Sequence, residues 1–315
     1  MANVLDVAKK AGVSKSTVSR YFNNGYVSSE ARKKIEAAIK DTNFAKNSIG
    51  YMLKHNSTKT IALCVPLISH PFFSKITQVI ENETYKNGYK LLITCSNNSR
   101  EREETFINLV LHKQVDGIIF ITHNKYEEFN YSLPAVTIDR RFNDNIPCIT
   151  SNNYEATYQA LEYLYQKGHR KIGFIGGRPN VQSEVKKRYL AYLDFINKYN
   201  LENLSYYEDF RHGEEYEKSV IYLDKFKDLD AVFATSDAFG FALYRYANTV
   251  NRKFDIITYD GCMSNVIQHP NFTTVQQNIE EMGKEVVDVL IKKIKNEKTN
   301  DSYIVNATFV KGETA

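Results

Sequence analysis

The sequence predicts an α/β protein in two parts: a small all-α helix-turn-helix head over 1–45, and a core of two parallel α/β lobes over 60–315. Three observations predict it. Over the first 45 residues apolar side chains recur at helical spacing and are punctuated by cap residues. From Thr60 onward short apolar runs alternate with longer amphipathic stretches, the pattern of βαβ units and a parallel sheet. Charge is also split: residues 1–59 hold 11 Lys/Arg against 4 Asp/Glu, a net +7, while the other 256 residues sum to −3. A basic head on a mildly acidic body is the polarity of a nucleic-acid-binding module attached to something else.

In the head, Leu5, Ala8 and Ala11 share one helical face, and Gly12 and Val13 interrupt it. Ser14 then stands where an N-cap satisfies the open amides of a second helix over 15–23. After the turn Asn23-Asn24-Gly25, Val27-Ser28-Ser29 opens a third helix carrying Ile35, Ala38 and Ile39 and ending near Asn43. Residues 46–59 are polar, with too few apolar side chains to pack alone, and read as a linker. In the core, strands are expected over 61–66, 91–95, 117–122, 135–138, 171–175, 231–235 and 256–259, with helices over 74–86, 101–113, 154–167, 183–199 and 279–295. Seven strands over about 250 residues divide better into two sheets than one. Two open α/β sheets facing each other leave a cleft at their strand ends. The expected lobes are 60–150 with 278–300, and 151–277 with 301–315.

Of the 315 residues 43% are hydrophobic and 25% charged, the composition of an ordinary globular chain. Cys64, Cys95, Cys148 and Cys262 lie far apart without a CxxC pair, which argues against a zinc ribbon or a dithiol redox site and favours a reducing, cytoplasmic setting. Neither a membrane-spanning apolar run nor a secretion signal is visible, so membrane insertion and secretion are not expected. The sequence has no GxSxG, HExxH or GxxxxGK[ST] motif, and its seven histidines are scattered singly. An enzyme is therefore not expected, nor a cofactor or a metal. A freestanding transport-type sugar-binding protein fits the body alone, but it would carry a secretion signal and would lack the basic head.

Ala8, Gly12, Val18 and Tyr21 fall at helix-turn-helix offsets: the small Ala lets two helices cross closely, Gly12 takes the positive φ of the turn, and Val18 packs inward. Lys15, Ser16, Ser19 and Arg20 then project from the opposite side of the second helix, a basic and hydroxyl face sized for a major groove.

These residues carry a resemblance. The segment 4–54, above all AGVSKSTVSR (11–20), resembles the headpiece of the LacI/GalR family of bacterial transcription regulators. The body resembles that family's periplasmic-binding-protein-like core through ISHPFF (68–73), VDGIIF (115–120), KGHRKIGFIGG (167–177), TSDAFGFAL (235–243) and ITYDG (257–261) in the same order. The resemblance implies that Lys15, Ser16 and Arg20 read base edges of double-stranded operator DNA. Thr17, Ser19 and Asn23 would touch phosphates. Leu53 would wedge into the minor groove from a hinge helix that orders on DNA, with Lys54 beside it.

By the same matching, Phe72, Phe73, Asp139, Arg188, Phe210, Asp237 and Asp260 fall around an interlobe cleft for a small effector, a sugar or sugar phosphate. Carboxylates and a guanidinium suit paired hydroxyls, and an aromatic ring covers an apolar sugar face. Phe73 fits a core position equally well, and Asp237 fits a helix cap. The chain has no Trp, so an aromatic platform must be Phe or Tyr. Segment 246–255 is shorter than the family pattern, and Gln182 and Glu184 do not resemble the purine-responsive pocket. Without a leucine heptad tail, a homodimer is expected. The resemblance implies a repressor of a carbohydrate-utilisation operon that binds a near-palindromic operator and is released by a sugar inducer, the logic of most of the family; the alternative is catabolite-control-type binding enhanced by a protein or metabolite corepressor.

Overall fold

A computed structural model describes residues 2–22, 25–44, 57–122, 124, 133–142, 145–178, 183–209, 213–262 and 270–315. Contacts divide the chain into two compact units, Met1–Thr58 and Lys59–Ala315.

The first unit holds α1 (Val4–Ala11), α2 (Lys15–Phe22) and α3 (Ser29–Thr42). Asn3 caps α1 in a reciprocal capping box with Asp6, which satisfies amides that the first turn leaves open. Gly12 ends α1 at φ 66°, a left-handed conformation that suits glycine, and its N–H returns to the carbonyls of Ala8 and Lys9. Ser14 Oγ accepts from the Thr17 amide at 3.1 Å and so starts α2. Val7, Ala8, Ala11, Val18, Ile35, Ala38 and Phe44 close the small core, with Val7, Val18 and Ile35 fully buried.

The second unit is built on two six-stranded sheets. The strands are β1 (Thr60–Val65), β2 (Lys90–Cys95), β3 (Gly117–Phe120), β4 (Ala135–Ile138), β5 (Cys148–Ser151), β6 (Ile172–Gly177), β7 (Leu204–Glu208), β8 (Ala231–Ala234), β9 (Asp255–Asp260), β10 (Thr273–Gln276), β11 (Ser302–Val305) and β12 (Thr308–Val310). The helices are α4 (Pro71–Lys86), α5 (Arg100–Leu111), α6 (Asn153–Gln166), α7 (Lys186–Tyr199), α8 (Glu215–Lys225), α9 (Asp237–Thr249) and α10 (Ile279–Ile294). The first sheet runs β11-β5-β4-β3-β1-β2 with every pairing parallel. The second runs β12-β10-β9-β8-β6-β7, parallel except for β12 against β10.

Apolar side chains cover both faces of each sheet. On the first, α4 and α10 bring Ile76, Ile80, Met282, Val286 and Leu290 onto Ile61 and Leu63, while Ile107 and Val110 of α5 pack on the other face with Ala62 and Cys64. On the second, Leu161, Leu164, Tyr192 and Phe195 face Phe174 and Phe233, and Tyr222, Leu223 and Leu243 pack against Val232 and Ala234. Each fully buried Leu, Ile or Phe contributes about 1.5–3 kcal/mol relative to exposure. In each sheet the strand order reverses beside the first strand, between β1 and β3 and between β6 and β8, the crevice where doubly wound folds bind ligands.

Three segments cross between lobes, after β5, after β10 and between β11 and β12. Side chains tie them together. Ser151 Oγ donates to Gln277 Oε1 at 2.6 Å, and Asn152 Oδ1 accepts from the Ala307 amide at 2.8 Å. One expected boundary is corrected here: residues 302–305, expected in the second lobe, pair with Cys148–Ser151 in the first sheet, so the last crossing falls at 306–307. Strands β5, β7, β10, β11 and β12 and helix α8 lie beyond the sequence expectation. The strands are short, Thr- and Tyr-rich or half-exposed, and α8 buries only Ser219, Tyr222 and Leu223. Among the described residues no helix is long and apolar enough to cross a membrane.

Candidate DNA-binding face and effector site

On α2, Val18 is fully buried against α1 and α3, and this fixes the helix rotation. Lys15, Ser16, Ser19 and Arg20 all lie on the exposed side, as expected. Thr17 is half-buried, and its hydroxyl and that of Ser14 lie 2.8 Å apart, so part of its hydrogen-bonding capacity is spent in the turn. Asn23, Leu53 and Lys54 lie outside the described residues.

In the core, a cavity of about 520 Å³ opens at the strand ends of both sheets. The first lobe contributes His70, Phe72, Phe73, Asn98, Ile121, Asn124, Asp139 and Arg140; the second contributes Arg178, Arg188, Asp209, Glu214, Glu215, Thr235, Ser236, Phe239 and Asp260, with Gln277 at the crossing. Four sequence-expected residues besides Asp139 therefore come together: Phe72, Phe73, Arg188 and Asp260. Phe72 and Phe73 serve two roles, lining the cavity while packing in the first-lobe core with ring centroids 5.6 Å apart.

Arg188, only 4% exposed, is held from several sides. Its Nε donates to Asn153 Oδ1 at 2.7 Å, its Nη1 donates to the Thr235 carbonyl at 2.7 Å, and its Cζ lies 3.5 Å from the Tyr259 ring centroid. Asp260 Oδ1 stands 3.8 Å from Nη1 and accepts from Gln277 Nε2 at 2.8 Å. Burial lifts the Asp260 carboxyl to about 7; the Asp237 carboxylate pushes the same way, and the Arg188 guanidinium opposes it. A second chain of bonds runs from Arg188 through Asn153 to Thr150 Oγ1 at 3.0 Å, and from Thr150 to Asp139 Oδ1 at 2.6 Å. The two carboxylates thus occupy matching places at the ends of β4 and β9, and both sit at positive φ, 60° for Asp139 and 96° for Asp260. Left-handed backbone at non-glycine residues costs about 1–3 kcal/mol and concentrates at functional sites.

Asp237 is not brought to the cavity. Its Oδ1 accepts from Thr258 Oγ1 at 2.8 Å and its Oδ2 from the Cys262 amide at 2.5 Å, which turns the carboxylate into the second lobe. It is not the N-cap of α9 either, because Ser236 caps that helix. Phe210 lies outside the described residues, while Phe239 supplies an aromatic lining in the second lobe. No residue of 246–255 lines the cavity; Arg252 instead donates to the carbonyls of Leu223 and Phe226. Sequence reasoning missed Arg140 and Gln277. Arg140 follows Asp139 directly, and its Nε donates to the Thr122 carbonyl at 3.0 Å; its Nη1 reaches the Asp139 carbonyl and, across the lobes, Ser183 Oγ. Its position beside a strand-end Asp was the available signal.

A helix-turn-helix unit with an exposed basic and hydroxyl face, on one chain with a two-lobed core around a polar cavity, defines a ligand-responsive DNA-binding regulator rather than an enzyme. The chain belongs to the LacI family of bacterial regulatory proteins. Residues 3–47 match the family's regulatory model, and residues 58–313 match the model of periplasmic binding proteins and the sugar-binding domain of the LacI family. It is 32% identical to the sucrose operon repressor of Streptococcus mutans over 100% of this chain and 99% of that protein. It is 31% identical to the ribose operon repressor of Halalkalibacterium halodurans over 96% and 93% of the two chains. In fold it is similar to the lac repressor dimer bound to operator and the anti-inducer ONPF, with a TM-score of 0.87 at 20% identity over 99% and 98% of the two chains.

Proposed function

We propose that this protein is a cytoplasmic repressor of a carbohydrate-utilisation operon that binds a near-palindromic operator as a homodimer and is released by a sugar or sugar phosphate. Lys15, Ser16 and Arg20 read base edges and Thr17, Ser19 and Asn23 set the register on phosphates. Residues 46–59 form the hinge, with Leu53 and Lys54 at the minor groove. Phe72, Phe73, Asp139, Arg188 and Asp260 hold the effector in the cavity.

One observation carries the reading: the effector-site carboxylate of Asp260 is joined through Gln277 to Ser151, so the cavity is wired directly to two of the three crossings between lobes. An effector bound at Asp260 that made different contacts in two lobe arrangements would supply the differential affinity that regulation requires. The full chain, incubated with a random duplex library, should select a near-palindrome. A sugar that raises its melting temperature should lower its affinity for that duplex. A stabilising sugar that tightens DNA binding would instead establish the corepressor logic.

A further inference from the structure

Among the described residues the cavity lining holds five acidic side chains, Asp139, Asp209, Glu214, Glu215 and Asp260, against three guanidiniums, Arg140, Arg178 and Arg188. Two guanidiniums are buried at the site, Arg140 and Arg188, and two buried carboxylates, Asp139 and Asp260, accompany them. Arg140 donates to the Thr122 and Asp139 carbonyls and to Ser183. Arg188 donates to Asn153 and the Thr235 carbonyl, and its Nη1 stands 3.8 Å from the Asp260 carboxylate. Arg178, at the exposed rim, pairs with Asp209 at 3.3 Å.

Three helix N-termini near the cavity carry an acidic residue at or beside the first turn. Such ends carry partial positive charge and open amides, which is why phosphates settle there. At α9 the first turn holds the buried carboxylate of Asp237. At α8, Glu214 is the N-cap and Glu215 opens the helix, its Oε2 accepting from the Gly213 amide at 2.7 Å. At α7, Glu184 precedes the N-cap Val185 and is paired with Lys187 at 2.5 Å.

We propose that the cleft selects an uncharged sugar and rejects its phosphorylated counterpart. Placing a phosphate among these groups would set it against an excess of acidic side chains, with Nε and one Nη of each buried guanidinium already bonded to the protein, at a desolvation cost that the cations only partly offset. Neutral hydroxyls fit, because each donates to one carboxylate oxygen or accepts from one guanidinium N–H. This rests on the cavity being the effector site.

The test is calorimetric titration of the full chain with matched pairs: D-glucose and glucose 6-phosphate, D-fructose and fructose 1-phosphate, D-ribose and ribose 5-phosphate, sucrose and sucrose 6-phosphate. In any pair that binds, the neutral member is expected to bind at least about tenfold tighter, a difference of about 1.4 kcal/mol. Glu214→Gln and, separately, Glu215→Gln, both at the cavity lining, should narrow that gap. A phosphorylated member that binds tighter and is lost in Arg188→Gln overturns the charge selection while leaving the site standing. A sugar whose binding is untouched by both Arg188→Gln and Asp260→Asn overturns the site, and silence across the panel overturns the sugar reading and the selection together.

Discussion

Arg141 of the first lobe donates from Nε to Glu184 Oε1 of the second at 2.8 Å. Beside this pair Arg140 and Ser183 form a β-bridge between the same two segments, and the Glu184 amide donates to the Asp139 carbonyl at 3.0 Å. The lobes are thus clasped across the cavity as well as joined by the three crossings. Burial alone would raise the Glu184 carboxyl, but hydrogen bonds from Lys187 and Arg141 outweigh it and hold the group below its ordinary range.

Because the Arg141 end of the pair is partly exposed, its energetic share is modest. Arg141→Ala and Glu184→Gln should each cost about 1 kcal/mol or less in thermal stability, with a coupling of about 0.5 kcal/mol in the double-mutant cycle. The sharper effect should fall on the effector, whose apparent affinity drops as the lobes lose this contact between them. Strictly additive single-variant effects, with effector affinity unchanged, would show that the pair carries no part of closure.

Arg20 lies on the exposed side of α2, opposite Val18. Arg20→Ala should lose about 1–3 kcal/mol on the selected operator and much less on random duplex DNA, measured by fluorescence anisotropy at fixed salt. Equal losses on both would assign Arg20 to phosphate contact instead. Val18→Ala removes a fully buried side chain from a seven-residue core and should lower the stability of the head itself.

Gln277 separates binding from response. Gln277→Ala breaks the link between Asp260 and Ser151 while leaving the Arg188 bonds to Asn153 and Thr235 in place. The variant should still bind effector within about tenfold, yet release operator weakly, since coupling energies of this kind are about 1–3 kcal/mol. A normal operator response at saturating effector would remove Gln277 from the coupling.

The α/β class and the head were legible because their signals are local. Val18, Gly12 and Ser14 fix α2 through spacing, turn geometry and capping within a dozen residues. The cavity was legible in part. Arg188 and Asp260 are charges near strand and helix ends, whereas the inward turn of Asp237 depends on Thr258 and Cys262, more than twenty residues away, and is invisible to spacing. Helix α9 shows the same limit. Gly240 weakens its helical pattern, yet a Cβ at that position would lie 2.1 Å from Thr258 Cγ2, so the glycine is there to let the helix approach β9. The crossing at 306–307 was missed because β11 and β12 are short and peripheral, and only pairing partners distinguish their sheets.

Asp260 makes stability depend on pH in a direction opposite to that of an ordinary paired carboxylate. In the unfolded chain an aspartate ionises near about 3.9, whereas burial holds this one to about 7 in the fold. Between those values the native state binds the extra proton, so the contribution is fully present below about 4 and is lost as pH rises through about 7. Asp260→Asn keeps the shape and an acceptor for Gln277 but removes the ionisation. Its melting temperature should fall less than that of the parent between pH 5 and 8, leaving it about 2–4 °C higher at pH 8 for each kcal/mol relieved. Parallel pH profiles for the two proteins would mean that Arg188, 3.8 Å away, already holds Asp260 ionised throughout this range. The group would then act as a fixed anion, and effector affinity would show no titration near neutrality.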